Sequence, residues 1–115
     1  HSAYMPHFRA QMNCVPGMIT QFAFTPNMTT EDMRLEEEVI NKVENINAIR
    51  TEKNIELIAK GDEELEMYEF DYMLLCNKIC GSNHFNMQMK IIVETEDEYN
   101  AWIAQQAPIA ETLKN

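Results

Sequence analysis

The chain has 115 residues, a length that suits one domain with a single modest core. Nineteen Asp and Glu residues against nine Lys and Arg give a formal net charge of −10, which argues against a nucleic-acid partner and favours a basic protein partner or simple solubility. Hydrophobic residues make up 45% of the chain and aromatic residues 9%, which excludes a fully disordered tail, and no apolar stretch is long enough to form a transmembrane helix.

The first 28 residues predict strands, interrupted by proline-containing turns at Pro6, Pro16-Gly17 and Pro26. After the second of these turns, apolar and polar residues alternate with a period of two, which is typical of a half-buried strand. The residues that share one face are Met18, Thr20, Phe22 and Phe24.

Residues 29–62 change to a helical pattern. Thr29 precedes two acidic residues, a favourable helix start because negative charge suits the positive end of the helix dipole. Apolar residues then recur at spacings of three and four. They are Leu35, Val39, Val43, Ile46 and Ile49. The pattern predicts one long helix, or two helices in tandem, ending at Gly61.

Alternation returns at residues 67–75 and 87–93, which predicts two strands on either side of a loop. Thr95 and Glu98 then form the sequence signature of a capping box. This signature predicts a short C-terminal helix that ends before Pro108.

The loop between these two strands is dense in metal-binding residue types. Cys76, Cys80, His84 and Met87 follow the spacing Cys-x3-Cys-x3-His-x2-Met, and such soft donors favour copper among the first-row metals. Gly81 allows the chain to turn sharply, so that these side chains can converge. Two other interpretations of the loop are a disulfide between the two cysteines and a zinc site.

This loop resembles the dinuclear copper A (CuA) loop of cytochrome c oxidase subunit II, whose usual form is Cys-Ser-Glu-Ile-Cys-Gly-x-x-His-x-x-Met. The start of the chain is similar to the same family, which commonly reads His-Ser-(aromatic)-x-x-Pro and then Lys-x-Asp-Ala-Ile-Pro-Gly. The corresponding stretches here are His1-Ser2-Ala3-Tyr4-Met5-Pro6 and Gln11-Met12-Asn13-Cys14-Val15-Pro16-Gly17. The resemblance covers residues 1–28 and 66–106 and leaves out the helical block 29–62.

The resemblance implies a mainly β fold for residues 1–115. We expect a cupredoxin-like Greek-key β-sandwich, incomplete at its N-terminus, with 29–62 as a helical insertion and a short C-terminal helix. Because the chain begins at His1, we expect an upstream part that carries the first strands and the transmembrane helices. Those helices would anchor the domain at the periplasmic face of a bacterial cytoplasmic membrane.

The resemblance also implies a ligand set for two copper ions. Both cysteines of the loop would bridge the metals, each metal would take one imidazole, and a thioether and a backbone carbonyl would be weak axial donors. The implied ligands are His1, Cys76, Lys78 (backbone carbonyl), Cys80, His84 and Met87.

The residues that depart from the family pattern or lie outside it include Lys78, Cys14 and His7. Lys78 stands where the family has a Glu that helps to bind magnesium at the boundary with subunit I, and a protonated lysine cannot ligate a hard cation. We therefore expect that magnesium site to be absent or rearranged. Cys14 stands where the family has Ala, and we predict a buried, inert thiol there. His7 has no counterpart among the family ligands and is predicted to be a surface residue.

The implied function is electron transfer from a c-type cytochrome to the haem of cytochrome c oxidase subunit I. In this interpretation the chain is part of an enzyme only within the oxidase complex. The alternatives are a CuA domain of the nitrous-oxide-reductase type and a zinc-stabilised interaction module. The helical block 29–62 is either a docking platform for the cytochrome or a neighbouring respiratory complex, or a solvated addition with no specific role.

Overall fold

The computed structural model describes residues 1–109, and within them four short strands form one antiparallel sheet. The strands are β1 (Ser2–Met5), β2 (Ala10–Asn13), β3 (Tyr72–Cys76) and β4 (Gln88–Ile91), in the spatial order β2-β1-β3-β4. β1 pairs with β2 on one side and with β3 on the other, with Ala3 opposite Cys76. The N-terminal hairpin and the later hairpin are therefore joined into one sheet.

The predicted strand at residues 18–25 is wrong for the described structure. These residues run without a strand ladder, and the Met18 side chain is 61% exposed. An alternating sequence becomes a strand only where a neighbouring strand supplies backbone partners, and no strand within residues 1–109 lies alongside this segment. The segment is instead held by single contacts, such as Phe24 packing on Phe8 with ring centroids 4.9 Å apart.

The other two predicted strands are present but shorter than the alternation suggests. β3 begins at Tyr72 rather than near residue 67, and β4 spans Gln88–Ile91. Residues 67–71 approach the sheet without pairing to a strand, because their backbone faces a helix instead of a neighbouring strand.

The helical predictions are confirmed. α1 (Thr30–Arg34) and α2 (Glu37–Lys60) form two helices in tandem, and α3 spans Glu96–Ala104. The Thr29 hydroxyl accepts a hydrogen bond from the Asp32 N–H at 3.1 Å. Gly61 ends α2 at a φ of 80°, the left-handed conformation that a helix end often requires. The capping box at Thr95 and Glu98 is complete.

The balance between helix and strand differs from the mainly β expectation. The three helices contain more residues than the four strands, and the strands of residues 1–109 make one sheet, whereas a sandwich needs two. None of the helices in the described part of the chain combines the length and apolar character needed to cross a bilayer.

A small core lies where the helical block meets the beginning of β3. Val39, Phe70 and Tyr72 are buried there, and Phe70 is only 2% exposed. The radius of gyration is 18.6 Å, well above the roughly 13 Å of a compact 100-residue domain. The structure is therefore open rather than compact, with its small core at one end of the sheet.

Arg34 fastens the helical block to this end of the sheet. Its guanidinium donates to the Phe70 carbonyl at 2.9 Å and to the Asp71 carboxylate at 3.0 Å. The other oxygen of Asp71 pairs with Lys90 on β4 at 2.7 Å. Hydrogen bonding to Asp71 raises the pKa of Lys90. The Asp71 carboxylate, directly before β3, thus links α1 to β3 and β4.

A polar stripe on α2 binds the chain as it returns to the sheet. Asn47, Arg50 and Asn54 are spaced so that they share one helix face. The Asn54 amide donates to the Leu65 carbonyl at 2.9 Å and accepts from the Leu65 N–H at 2.7 Å. The Asn47 amide likewise donates to the Tyr68 carbonyl at 3.0 Å and accepts from the Tyr68 N–H at 2.6 Å. The Arg50 guanidinium lies 5.6 Å from the centre of the Tyr68 ring. The side-chain amides of Asn47 and Asn54 therefore supply the backbone hydrogen bonds that a neighbouring strand would otherwise give to residues 65–68.

We expect Asn54→Ala to lower the free energy of unfolding by roughly 1–3 kcal/mol, because both backbone groups of Leu65 lose their partner. The matched control is Asn45→Ala, an exposed asparagine of the same helix, which should change the stability by less than about 0.5 kcal/mol. Urea unfolding of the two variants measures the difference. Equal effects would contradict the role assigned to Asn54.

Candidate metal centre

The sheet brings the first residue of the chain next to the metal-binding loop. His1 directly precedes β1, and β1 lies beside β3, at whose end Cys76 lies. The Cys14 N–H donates to the His1 carbonyl at 2.9 Å, and the Cys76 N–H donates to the Met87 carbonyl at 3.1 Å. The second of these bonds closes the loop at its base, between the end of β3 and the beginning of β4.

Within the loop, two tight turns reverse the chain direction. Gly81 has a φ of 145°, a backbone conformation that residues with a Cβ rarely adopt. The His84 N–H donates to the Gly81 carbonyl at 3.2 Å, and the Met87 N–H donates to the His84 carbonyl at 3.2 Å. These turns direct His84 and Met87 back towards Cys80.

Two sulfur atoms form the middle of the site. The Sγ atoms of Cys76 and Cys80 are 3.6 Å apart and both cysteines are free thiols, so the disulfide alternative is not formed in this structure. The Nδ1 atom of His1 lies 3.8 Å from the Cys76 sulfur, and the Lys78 carbonyl oxygen lies 3.4 Å from the same sulfur. The donor atoms of His1 and the two cysteines all lie within 4.8 Å of one another.

The second sulfur has a matching set of neighbours. The Nδ1 atom of His84 lies 3.5 Å from the Cys80 sulfur, and the Met87 thioether sulfur lies 3.2 Å from it. Each thiol therefore has its own imidazole and one further donor. All six residues identified from the sequence are brought together.

The two thiols differ in acidity. Backbone hydrogen bonds at Ser2 and then at Lys78 lower the pKa of Cys76 from 9.0 to about 6, with help from Cys80 and His84. Burial and the adjacent Cys76 raise the pKa of Cys80. These shifts favour a thiolate at Cys76 over one at Cys80. Since the thiolate is the metal-binding form, the site is partly prepared for a soft cation.

The chemistry of the donors fits copper. Thiolates, imidazoles and a thioether are soft or intermediate ligands, and a carbonyl oxygen is a weak additional donor. The thioether of Met87 would add little to a zinc site, because structural zinc sites use cysteine, histidine and carboxylate ligands.

Sequence reasoning missed the polar support of this site. Ser2 is buried, and its hydroxyl accepts a hydrogen bond from the Gln11 amide at 3.1 Å. The side-chain oxygen of Gln11 in turn accepts a hydrogen bond from the side-chain amide of Asn77 at 3.4 Å. Gln11 therefore links β1 to the metal-binding loop. In the sequence, the only signal at Gln11 is that it stands where the family pattern has Lys, and its position across from Tyr4 in β1 is set by the fold.

Cys14 corrects one prediction. It is exposed rather than buried, because it follows the end of β2 at a rim of the sheet that no other layer within residues 1–109 covers. His7 is exposed, as predicted, and its ring packs edge-on against Phe70 with centroids 4.9 Å apart. Burial, followed by the charge of Lys42, lowers the pKa of His7.

The chain is similar to the alternative cytochrome c oxidase subunit 2 of Bradyrhizobium diazoefficiens, with 33% identity over 110 residues. The match covers 96% of this chain and 25% of the relative, so the chain spans about a quarter of that protein's length. Because it covers nearly the whole chain, the match extends across the helical block 29–62. No protein-family model matches the chain, and no solved structure matches it.

We expect Cys76 to be alkylated by iodoacetamide in the metal-free protein with a midpoint at a pH of about 6. Below that midpoint the thiolate is protonated and the rate falls; above it the rate reaches a plateau, because the thiolate is the nucleophile. Cys80 should react only at clearly alkaline pH, since its pKa is raised. The rates are measured by mass spectrometry in a Cys14→Ser background. Cys76 and Cys80 reacting with the same midpoint would contradict the assignment.

Proposed function

We propose that this chain is the copper-binding domain of a cytochrome c oxidase subunit II and that it relays single electrons. The observation that carries the proposal is the pair of thiols 3.6 Å apart, each with its own imidazole. The similarity to an alternative cytochrome c oxidase subunit 2 supports the same assignment.

In this proposal two copper ions would be held by the donors of the loop together with His1. The proposed ligands are His1, Cys76, Lys78 (backbone carbonyl), Cys80, His84 and Met87. Bound copper would supply one-electron oxidation and reduction. The chain's own contribution is to hold the donors in place. Their positions are fixed by the backbone hydrogen bond between Cys76 and Met87 and by the turns of the loop. The thioether and the carbonyl are weak donors, which tune a copper potential.

The proposed pathway runs from a c-type cytochrome to the haem of subunit I. Oxygen reduction belongs to the whole oxidase, so the chain contributes to an oxidoreductase without being an enzyme alone. The domain would lie at the periplasmic face of the cytoplasmic membrane, in a longer protein that carries the anchoring helices. The described sheet would be one layer of a cupredoxin-like Greek-key sandwich completed by residues outside this chain.

Two observations favour this proposal over its alternatives. The Met87 thioether 3.2 Å from the Cys80 sulfur favours copper over a zinc-stabilised module. The oxidase relative favours subunit II over a domain of the nitrous-oxide-reductase type.

Lys78 is exposed, and we propose that no magnesium ion is held at this position. Its ammonium group would instead supply the positive charge there. A divalent ion held by residue 78 in the assembled oxidase would contradict this part of the proposal.

We expect the full-length protein to bind two copper ions per chain that share one delocalised electron. Cys76→Ser and Cys80→Ser should each abolish the shared signal, because each removes one of the two sulfur atoms at the middle of the site, whereas Cys14→Ser should retain it. Metal counting with optical and EPR spectra measures the outcome. Retention of zinc in preference to copper would reduce the loop to a structural element.

A further inference from the structure

Strand β2 fastens the half of the candidate metal centre that contains His1. The ladder between β1 and β2 runs to the beginning of β1, and the Cys14 N–H extends it by donating to the His1 carbonyl at 2.9 Å. The ladder between β1 and β3 ends earlier, with Ala3 opposite Cys76. The backbone of His1 is therefore held by β2, whereas the metal-binding loop leaves the sheet before it reaches His1.

Gln11 of β2 reaches across β1 to that loop. Because β2 and the loop lie on opposite sides of β1, about two strand spacings, or roughly 10 Å, separate their backbones. The Gln11 amide donates to the buried Ser2 hydroxyl at 3.1 Å, and its side-chain oxygen accepts from the Asn77 amide at 3.4 Å. One side chain thus joins β2, β1 and the loop.

Ser2 and Asn77, the two partners of Gln11, are the chain neighbours of two proposed copper ligands. Ser2 directly follows His1, and Asn77 directly follows Cys76. The backbone of Ser2 also forms a hydrogen bond to the Cys76 thiol. These contacts close a ring through Gln11 in which the neighbours of both ligands are fixed relative to each other.

The contact between Gln11 and Asn77 joins two residues that both depart from the subunit II pattern. That pattern has Lys at the position of Gln11 and Ser at the position of Asn77. At 3.4 Å the hydrogen bond is already long, so a serine hydroxyl, which ends one bond closer to the backbone than the asparagine amide, would not reach Gln11. The bridge therefore depends on Asn77 as well as on Gln11.

We propose, on the basis of the proposed function, that Gln11 is a positioning residue that holds His1 against the copper-binding loop through Ser2 and Asn77. Gln11 acts through these neighbours and is not itself a ligand. Hydrogen bonds of this kind orient metal ligands, and their loss typically costs about 10–100-fold in metal affinity. Since Gln11 and Asn77 are both exposed, the lower end of that range is expected here.

Copper release from the copper-loaded full-length protein tests this role. Gln11→Leu keeps much of the side-chain volume and removes both hydrogen bonds, and Asn77→Ala removes the partner in the loop. Each should speed the loss of copper to a chelator about tenfold, because His1 is held less firmly against the loop. Gln21→Leu changes an exposed glutamine outside the strands and should leave the rate unchanged. The decay of the visible absorption of bound copper gives the rate.

A double-mutant cycle separates positioning from a general loss of stability. Gln11→Leu combined with Asn77→Ala should release copper no faster than Gln11→Leu alone, since both substitutions break the same bridge. Independent effects would multiply instead, to about a hundredfold, and that result would overturn the positioning role.

A conservative replacement should retain slow copper release. Gln11→Glu can still accept hydrogen bonds from the Asn77 amide and the Ser2 hydroxyl, so it should release copper at the rate of the unmodified protein. Asn13→Asp in the Gln11→Leu background is the control for charge, because it adds a carboxylate to β2 without rebuilding the bridge. Restoration of slow release by Asn13→Asp would show that charge matters rather than position, and would overturn the proposal.

Amide hydrogen exchange of the metal-free full-length protein measures the same role without copper. Gln11→Leu should speed the exchange of the Ser2 backbone amide about tenfold, because its contact with Cys76 joins the two halves of the site. The Leu65 N–H, which Asn54 holds on the helical block, should exchange at an unchanged rate.

The two measurements keep this proposal distinct from the proposed function. A full-length protein that binds no copper fails the proposed function, and the exchange of the Ser2 amide then decides the role of Gln11: an unchanged rate overturns it. With copper bound, unchanged release in both Gln11→Leu and Asn77→Ala overturns the positioning role and leaves the proposed function in place.

Discussion

The pairing of β1 with β3 is the constraint on which the candidate site depends. It places Ala3 opposite Cys76 and so brings the first residue of the chain beside a loop that the whole helical block separates from it in sequence. Without this ladder the loop could gather its own two cysteines, His84 and Met87, but the Cys76 thiol would lack an imidazole. The backbone partners of β1 also lower the pKa of Cys76.

The chain divides its tasks between the two ends of one sheet. At one end, Arg34 and Asp71 fasten the helical block to the sheet through charged hydrogen bonds. At the other end the metal-binding loop projects with its apolar neighbours exposed. The long helix α2 is stabilised by its own returning segment rather than by the site, through the amides of Asn47 and Asn54. The strands and the loop, rather than α2, therefore set the geometry of the candidate metal centre.

The predictions that rest on local signals are confirmed, whereas the strand at residues 18–25 and the burial of Cys14, which depend on distant partners, are wrong. Thr29, Gly61 and Thr95 mark helix ends because their partners lie within a few residues of them. The alternation at residues 18–25 carries no such information, since a strand needs a second strand whose position the pattern does not specify. Cys14 was misjudged for the same reason, because its burial depends on a covering layer.

The sequence by itself determined the helices and their caps, and its resemblance to subunit II implied the six proposed ligands. Only the tertiary structure decided that His1 and the loop meet, that Gln11 links β1 to that loop, and that Arg34 fastens the helical block to the far end of the sheet. The physical reason is that strand pairing joins residues far apart in the chain. Which residues become neighbours depends on backbone hydrogen bonding that no local pattern records.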